Sequence, residues 1–241
     1  MREKITGLVL NVRKYNDRNN VVTIYSREHG RLSFLSASGS GKSSNARRAR
    51  LQPLALIETE TNLKASADLH RLGVVNMAQV WTDIYFHPVK RVIAMFISEF
   101  LYKLLHASMA DEALFDFMVE SFSLLDSMQE NVADFHIPFL VSMLTYSGIQ
   151  PDTSGYQPGH AFSFASGTFS PENSAISPFI TGEEAAEIVT LTKIDFSNMK
   201  NLRLNSLNRR RILYTLLNYF SYHFPGLGSL KSPEVLREIF E

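Results

Sequence analysis

The sequence predicts an α+β protein in two parts. A small five-stranded β-barrel occupies residues 1–80, and an all-helical domain occupies 81–241 with an irregular excursion at about 150–180. Three observations carry this. The first 80 residues are short β-rich runs separated by turn residues. From residue 81 apolar residues recur at i, i+3, i+4 and i+7. Residues 150–180 hold Pro151, Gly155, Pro158, Gly159, Gly167, Pro171 and Pro178, which interrupt either period. A chain of 241 residues buries a core as one large domain or two smaller ones without covalent staples.

The strands follow in order. Ile5–Val12 is β-rich and sets Leu8, Leu10 and Val12 on one face. After the polar break Asn16-Asp17-Arg18-Asn19-Asn20 comes Val21–Tyr25. Glu28-His29-Gly30-Arg31 predicts a hairpin turn in which Gly30 is free to take positive φ, and Leu32–Leu35 returns as the third strand. A polar loop leads to Leu54–Thr59 and then to Leu69–Val75. Five such strands fit a small closed barrel of the OB type.

The helices come next. Val89, Val92, Ile93, Phe96, Ile97, Phe100, Leu101, Leu104 and Leu105 form one long apolar stripe, and Pro88 sits where a first-turn proline is tolerated. Leu114, Phe117, Met118, Phe122 and Leu125 predict a second helix, and Phe139, Leu140, Met143 and Leu144 a third near Pro138. A short hairpin is expected within the excursion, at Phe162-Ser163-Phe164 and Thr168-Phe169. Helix resumes at Gly182–Leu191, Ser206–Phe224 and Ser232–Phe240, where Ser232-Pro233 makes a cap and first-turn pair.

Charge is balanced in total, 24 Lys+Arg against 24 Asp+Glu, but segregated along the chain. Residues 1–80 hold 13 cations and 6 acids, residues 81–200 hold 5 and 15, and residues 201–241 hold 6 and 3. The net charges are therefore +7, −10 and +3. Such segregation points to a nucleic-acid-binding module joined to something else, or to parts of opposite sign docked on each other. Cysteine is absent, which excludes disulfides, thiol nucleophiles, iron–sulfur clusters and cysteine zinc sites. Met1-Arg2-Glu3-Lys4 opens no signal-peptide core, and no run approaches the roughly 18 apolar residues of a membrane span, so a cytoplasmic protein is the expectation.

Catalytic patterns fail one by one. Ser38-Gly39-Ser40-Gly41-Lys42-Ser43 resembles a phosphate loop, yet its first glycine position is Ser36 and no striped helix follows. The seven histidines have no metal-ligand spacing, and no carboxylate pair suggests acid–base work. No catalytic residue, metal or cofactor is expected. The same segment reads instead as a flexible basic loop: Lys42, Arg47, Arg48 and Arg50 lie within nine residues, with no acid between Arg31 and Glu58. Such a loop follows a phosphate backbone with little sequence preference. Arg13, Lys14 and Tyr15 at the first strand's end, Arg27 after the second and Arg31 in the third complete the candidate DNA-binding set. Tyr25 and Phe34 fit base stacking or barrel core equally. Arg209, Arg210 and Arg211 oppose the dipole at a helix start, so they answer to a partner or to acids elsewhere in the chain.

Three stretches resemble the RecO family of bacterial recombination mediators. They are Gly7–Leu10 followed by Val21–Leu32, then Leu51-Gln52-Pro53-Leu54 leading into a strand, and Tyr222-His223 with Leu230–Leu236 near the end. The resemblance implies a non-enzymatic protein that binds single- and double-stranded DNA, anneals complementary strands and helps load the RecA recombinase. It also implies two partners, RecR and the acidic tail of the single-strand-binding protein, the tail being received on the helical domain, where Arg209, Arg210 and Arg211 are candidate contributors that the resemblance does not map residue by residue. Two departures stand out. Many relatives carry a cysteine zinc site in the excursion, which this chain lacks, so packing or hydrogen bonds must hold it. The family's basic loop usually begins richer in Arg and Lys than Gly39-Ser40-Gly41 does here.

Overall fold

A computed structural model describes residues 2–39, 41–64, 67–106, 109–199, 204–228 and 230–240. It is an α+β chain in two compact units: Met1–Gln129 with Leu230–Leu236, and Glu130–Ser229 with Arg237–Glu241.

The first unit is built on β1 (Glu3–Lys14), β2 (Asn19–Ser26), β3 (Gly30–Ala37), β4 (Leu56–Thr61), β5 (His70–Arg71) and β6 (Val75–Gln79). These make one sheet in the order β5-β3-β2-β1-β4-β6. The predicted fifth strand is divided. His70–Arg71 pairs parallel with β3, then three residues later the chain pairs antiparallel with β4 as β6. One run of chain therefore hydrogen-bonds to both sides of the sheet, giving six paired segments where the sequence predicts five. The break falls at Gly73, where a Cβ would stand 2.1 Å from the Glu60 carbonyl oxygen, so only glycine lets the two backbones approach. Gly30 takes φ +67° in the β2–β3 turn, as its sequence predicts.

Leu8, Leu10 and Val12 share a face of β1, but the interior is made by the alternate one. Ile5, Val9, Val22, Ile24, Phe34, Ala55, Ile57, Leu72 and Val75 form the sheet's core cluster. Leu8 and Leu10 are also buried, on the side where α2 (Pro88–Leu104) packs and Ser98 Oγ donates to the Leu10 carbonyl at 2.6 Å. A strand buried on both faces has no polar alternation to reveal which face is inside.

The segment read as a flexible loop contains a helix, α1 (Lys42–Arg50). Its Ala and Arg residues are good helix formers, and Arg47, Arg48 and Arg50 in the last turn complement the dipole. The preceding Gly39 and Gly41 draw attention away from that propensity. Two further helices belong to this unit. In α2 the apolar stripe is buried; in α3 (Glu112–Ser127) Asp111 caps the N-terminus by accepting from Leu114 N at 2.9 Å. Between β6 and α2 a turn is fastened by the Asp126 carboxylate, which accepts from the backbone N–H groups of Thr82, Asp83 and Ile84, each at 2.8 Å. Burial raises this carboxyl, but the three donors outweigh it and hold Asp126 below the ordinary aspartate value. Lys90 is fully buried alongside, its Nζ 2.6 Å from Asp83 and donating to the Asp126 carbonyl at 2.8 Å.

The late segment Leu230–Leu236 returns to this unit, opening α7 (Ser232–Phe240). Glu99 accepts from Lys231 N, Ser232 N and Ser232 Oγ. Burial raises the Glu99 carboxyl, and these donors together bring it below its usual value.

The second unit holds α4 (His136–Tyr146), β7 (His160–Ser163), β8 (Thr168–Pro171), β9 (Phe179–Ile180), α5 (Gly182–Leu191) and α6 (Ser206–His223). The excursion forms a small sheet in the order β8-β7-β9, including the predicted hairpin. Aromatic packing holds it. Phe162 stands 5.1 Å from Phe169 and 5.4 Å from Tyr219, Phe164 stands 5.5 Å from Tyr219, and Tyr219 donates to the Ile149 carbonyl at 2.9 Å.

Candidate nucleic-acid interface

Two elements converge at one end of the sheet. The β1–β2 connection carries Arg13, Lys14, Tyr15 and Arg18, all exposed, with Tyr15 61% exposed. Ser38, just beyond β3, donates from its N–H to the Arg18 carbonyl at 2.8 Å and from Oγ to the Asp17 carbonyl at 3.2 Å. The next residue, Gly39, accepts from the Arg48 guanidinium at 3.3 Å. The hairpin tip and α1 are thus tied through two consecutive residues. Arg50 is fixed by donation to the Val75 carbonyl at 3.1 Å, while Lys42 and Arg48 are exposed and Arg47 is half-buried. One acid, Asp17, enters this cluster, paired with Lys14 at 2.8 Å across solvent.

The remaining predicted cations are placed elsewhere. Arg27 lies about 20 Å along the strands from Arg13, counting six residues from its register partner Val21. It pairs with Asp116 at 3.0 Å and Glu112 at 2.8 Å on α3; the Asp116 bond leads in raising the Arg27 pKa and lowers that of Asp116 in turn. Arg31 lies 4.5 Å over the Tyr102 ring and donates to the Tyr102 carbonyl. Burial lowers the Arg31 pKa, and the charge of Arg13 lowers it further, so these two cations sense each other. Tyr25 and Phe34 are fully buried, which assigns both to the core.

At the start of α6 the three arginines divide. Arg209 pairs with Asp134 at 2.6 Å in a nearly buried contact, and Arg211 pairs with Glu187 at 3.0 Å. Arg210 is exposed, 5.8 Å over the Tyr214 ring. Acids of the same unit therefore take up two of the charges that oppose the helix dipole.

Sequence reasoning passes over a second set. A cleft of about 740 Å³ is lined by Arg2, Lys4, Lys64 and Arg71, with Glu58 and Glu60 among them. These residues are scattered along the chain, and only the pairing of β1 with β4 and the bond from the Thr61 hydroxyl to the Arg71 carbonyl gather them. Arg18 is missed for a simpler reason: it reads as part of a turn. Among the described residues no group of three His, Asp or Glu is placed to hold a metal ion, and no helix is long and apolar enough to cross a membrane.

Comparison with known proteins gives two family models that match in succession. Recombination protein O N terminal covers residues 1–81, and Recombination protein O C terminal covers 88–234. Similar proteins include the DNA repair protein RecO of Bacteroides fragilis, 32% identical with all of both chains covered. That of Porphyromonas gingivalis is 33% identical over 98% of each, and that of Flavobacterium psychrophilum 32% identical over all of both. With matches running end to end in both halves, the chain belongs to the RecO family of DNA repair and recombination proteins.

Proposed function

We propose that this protein is a non-enzymatic recombination mediator. It binds single- and double-stranded DNA, anneals complementary strands and assists RecA loading on DNA coated by single-strand-binding protein. The observation that supports the reading is the hydrogen-bonded tie between the β1–β2 tip, which carries Arg13, Lys14 and Tyr15, and α1, which carries Lys42, Arg47, Arg48 and Arg50. Cations with one exposed aromatic suit a phosphate backbone with a stacked base. Residues 1–80 act as an OB-type DNA-binding barrel, a reading supported by the run His70–Gln79 that pairs with both β3 and β4. Residues 81–241 supply the partner surface for RecR and the single-strand-binding tail, where Arg210 is the exposed cation of its trio. The protein works in the cytoplasm on the nucleoid.

A second reading, an adaptor that reaches DNA only through a partner, draws on Arg27 and Arg31, which the chain itself engages. Oligonucleotide binding by the isolated chain decides between them. Fluorescence anisotropy at rising salt is expected to give a steep loss of affinity, and R47A/R48A/R50A to lower the log–log slope by about 3, one per phosphate contact removed. No binding at low salt would overturn the DNA-binding reading and leave the adaptor.

A further inference from the structure

The cleft beside β4 gathers cations that the chain leaves unused. Lys4 pairs there with Glu58 at 2.9 Å. Arg2, Lys64 and Arg71 are exposed, line the same space of about 740 Å³, and have no ion pair or side-chain hydrogen bond among the described residues. Among the described lining residues the one other acid is Glu60, so positive charge remains in excess once Lys4 and Glu58 cancel. Elsewhere the fold sets acids against its arginines, as at Arg27, Arg209 and Arg211. Uncompensated cations around one concavity focus a field that draws an anion.

The walls of the cleft are fixed. Thr61 Oγ1 donates to the Arg71 carbonyl at 2.9 Å, and Gly73 lies so close to the Glu60 carbonyl that a Cβ would stand 2.1 Å from it. The backbones that carry Arg71 and Glu60 are therefore held before any ligand arrives, which lowers the cost of binding. No Phe, Tyr or Trp is among the described lining residues, so the cleft offers charge to a backbone rather than a platform to bases. Guanidinium groups suit phosphate oxygens, which they can meet with two hydrogen bonds at once.

Its position joins it to the basic corner. Arg50, at the end of α1, donates to the Val75 carbonyl at 3.1 Å, and the residues on either side, Val74 and Asn76, line the cleft. The segment Ser38–Arg50 therefore runs from the β1–β2 tip, where Ser38 bonds Arg18, to the rim of the cleft, with α1 covering about 13 Å of the way. We propose that the cleft is a phosphate site, and that a single strand held at the basic corner passes the end of α1 and lays its backbone into it. The path of the strand rests on the DNA-binding reading above; the phosphate chemistry of the cleft does not.

Fluorescence anisotropy with labelled oligothymidylates of about 4 and about 16 nucleotides, the range of site sizes on such barrels, tests the path. R2A/K64A/R71A is expected to weaken the longer strand at least tenfold and to lower its log–log salt slope by about 2, while changing the shorter one less than threefold. Glu60→Gln removes the opposing acid and should tighten the longer strand at least twofold, a gain that a folding defect does not produce. Unchanged affinity of the triple variant for the longer strand, or equal losses on both lengths, overturns the path. Pyrophosphate, read by melting temperature, separates the two sources of phosphate. Stabilisation of the parent protein that the triple variant loses, with no length effect on oligonucleotides, would overturn the strand as ligand and assign the cleft to a free phosphate compound. R47A/R48A/R50A is measured beside these and should weaken both lengths, so failure of the DNA-binding reading shows there and failure of the cleft shows in the length effect.

Discussion

His136 opens α4 with none of its surface exposed. Burial first, and the Arg209 charge second, lower its pKa from 6.5 to about 3. The folded chain therefore refuses a proton that the unfolded chain accepts below pH 6.5. The contribution of neutral His136 to stability is whole above pH 6.5 and declines as pH falls from there toward 3. Urea titrations are expected to show an extra loss on the order of 1.4 kcal/mol per pH unit across that window, absent in His136→Gln. Parallel profiles for the two proteins would remove the assignment. Residues of this kind show where sequence reading stops. His136 was one of seven scattered histidines, and Tyr25 fitted stacking and core equally, because burial comes from elements distant in the chain. Gly30 was legible, since its φ is a local demand of the turn.

At the scale of elements, aromatic packing holds the β7–β8–β9 sheet. Phe162 touches Phe164, Phe169 and Tyr219, and Gly167 leaves room for the Tyr219 hydroxyl, which a Cβ would approach to 2.9 Å. Phe162→Ala should cost about 3–5 kcal/mol, measured by chemical denaturation, and chelators should leave the melting temperature of the parent protein unchanged. A chelator-dependent fall in melting temperature would show that a metal contributes after all. The helices were readable because apolar spacing is a property of each segment; Gly182–Leu191 and Ser232–Phe240 have the expected bounds. By contrast, α1 was hidden by its polarity. A helix without an apolar stripe leaves only propensity and dipole as signals, and neighbouring glycines mask both.

Across the whole molecule, a net charge of zero conceals segments of +7, −10 and +3. Attraction between copies through unlike segments should be strongest at low salt near neutral pH, where no net repulsion opposes it. Turbidity of a concentrated solution is expected to fall on adding moderate salt; a rise would show that apolar contacts dominate instead. The segregation is the sequence feature that bears most directly on the site, since it puts the excess of cations in residues 1–80. It did not separate the cations free to meet a ligand from those spent inside the chain, as Arg27 and Arg209 are on Asp116 and Asp134. That distinction depends on which acids the fold brings near.

The closing of Glu99 by Lys231 and Ser232 has a consequence for how the protein is made. The N-terminal unit comprises Met1–Gln129 and Leu230–Leu236, so its hydrogen bonds at Glu99 depend on chain synthesised well after the rest of the unit. Until then the Glu99 carboxylate has no N–H groups to accept from. A polypeptide stalled or cut before Leu230 would carry the whole basic corner and still lack the latch on α2. The first unit is complete only once Lys231 and Ser232 have been added to the chain.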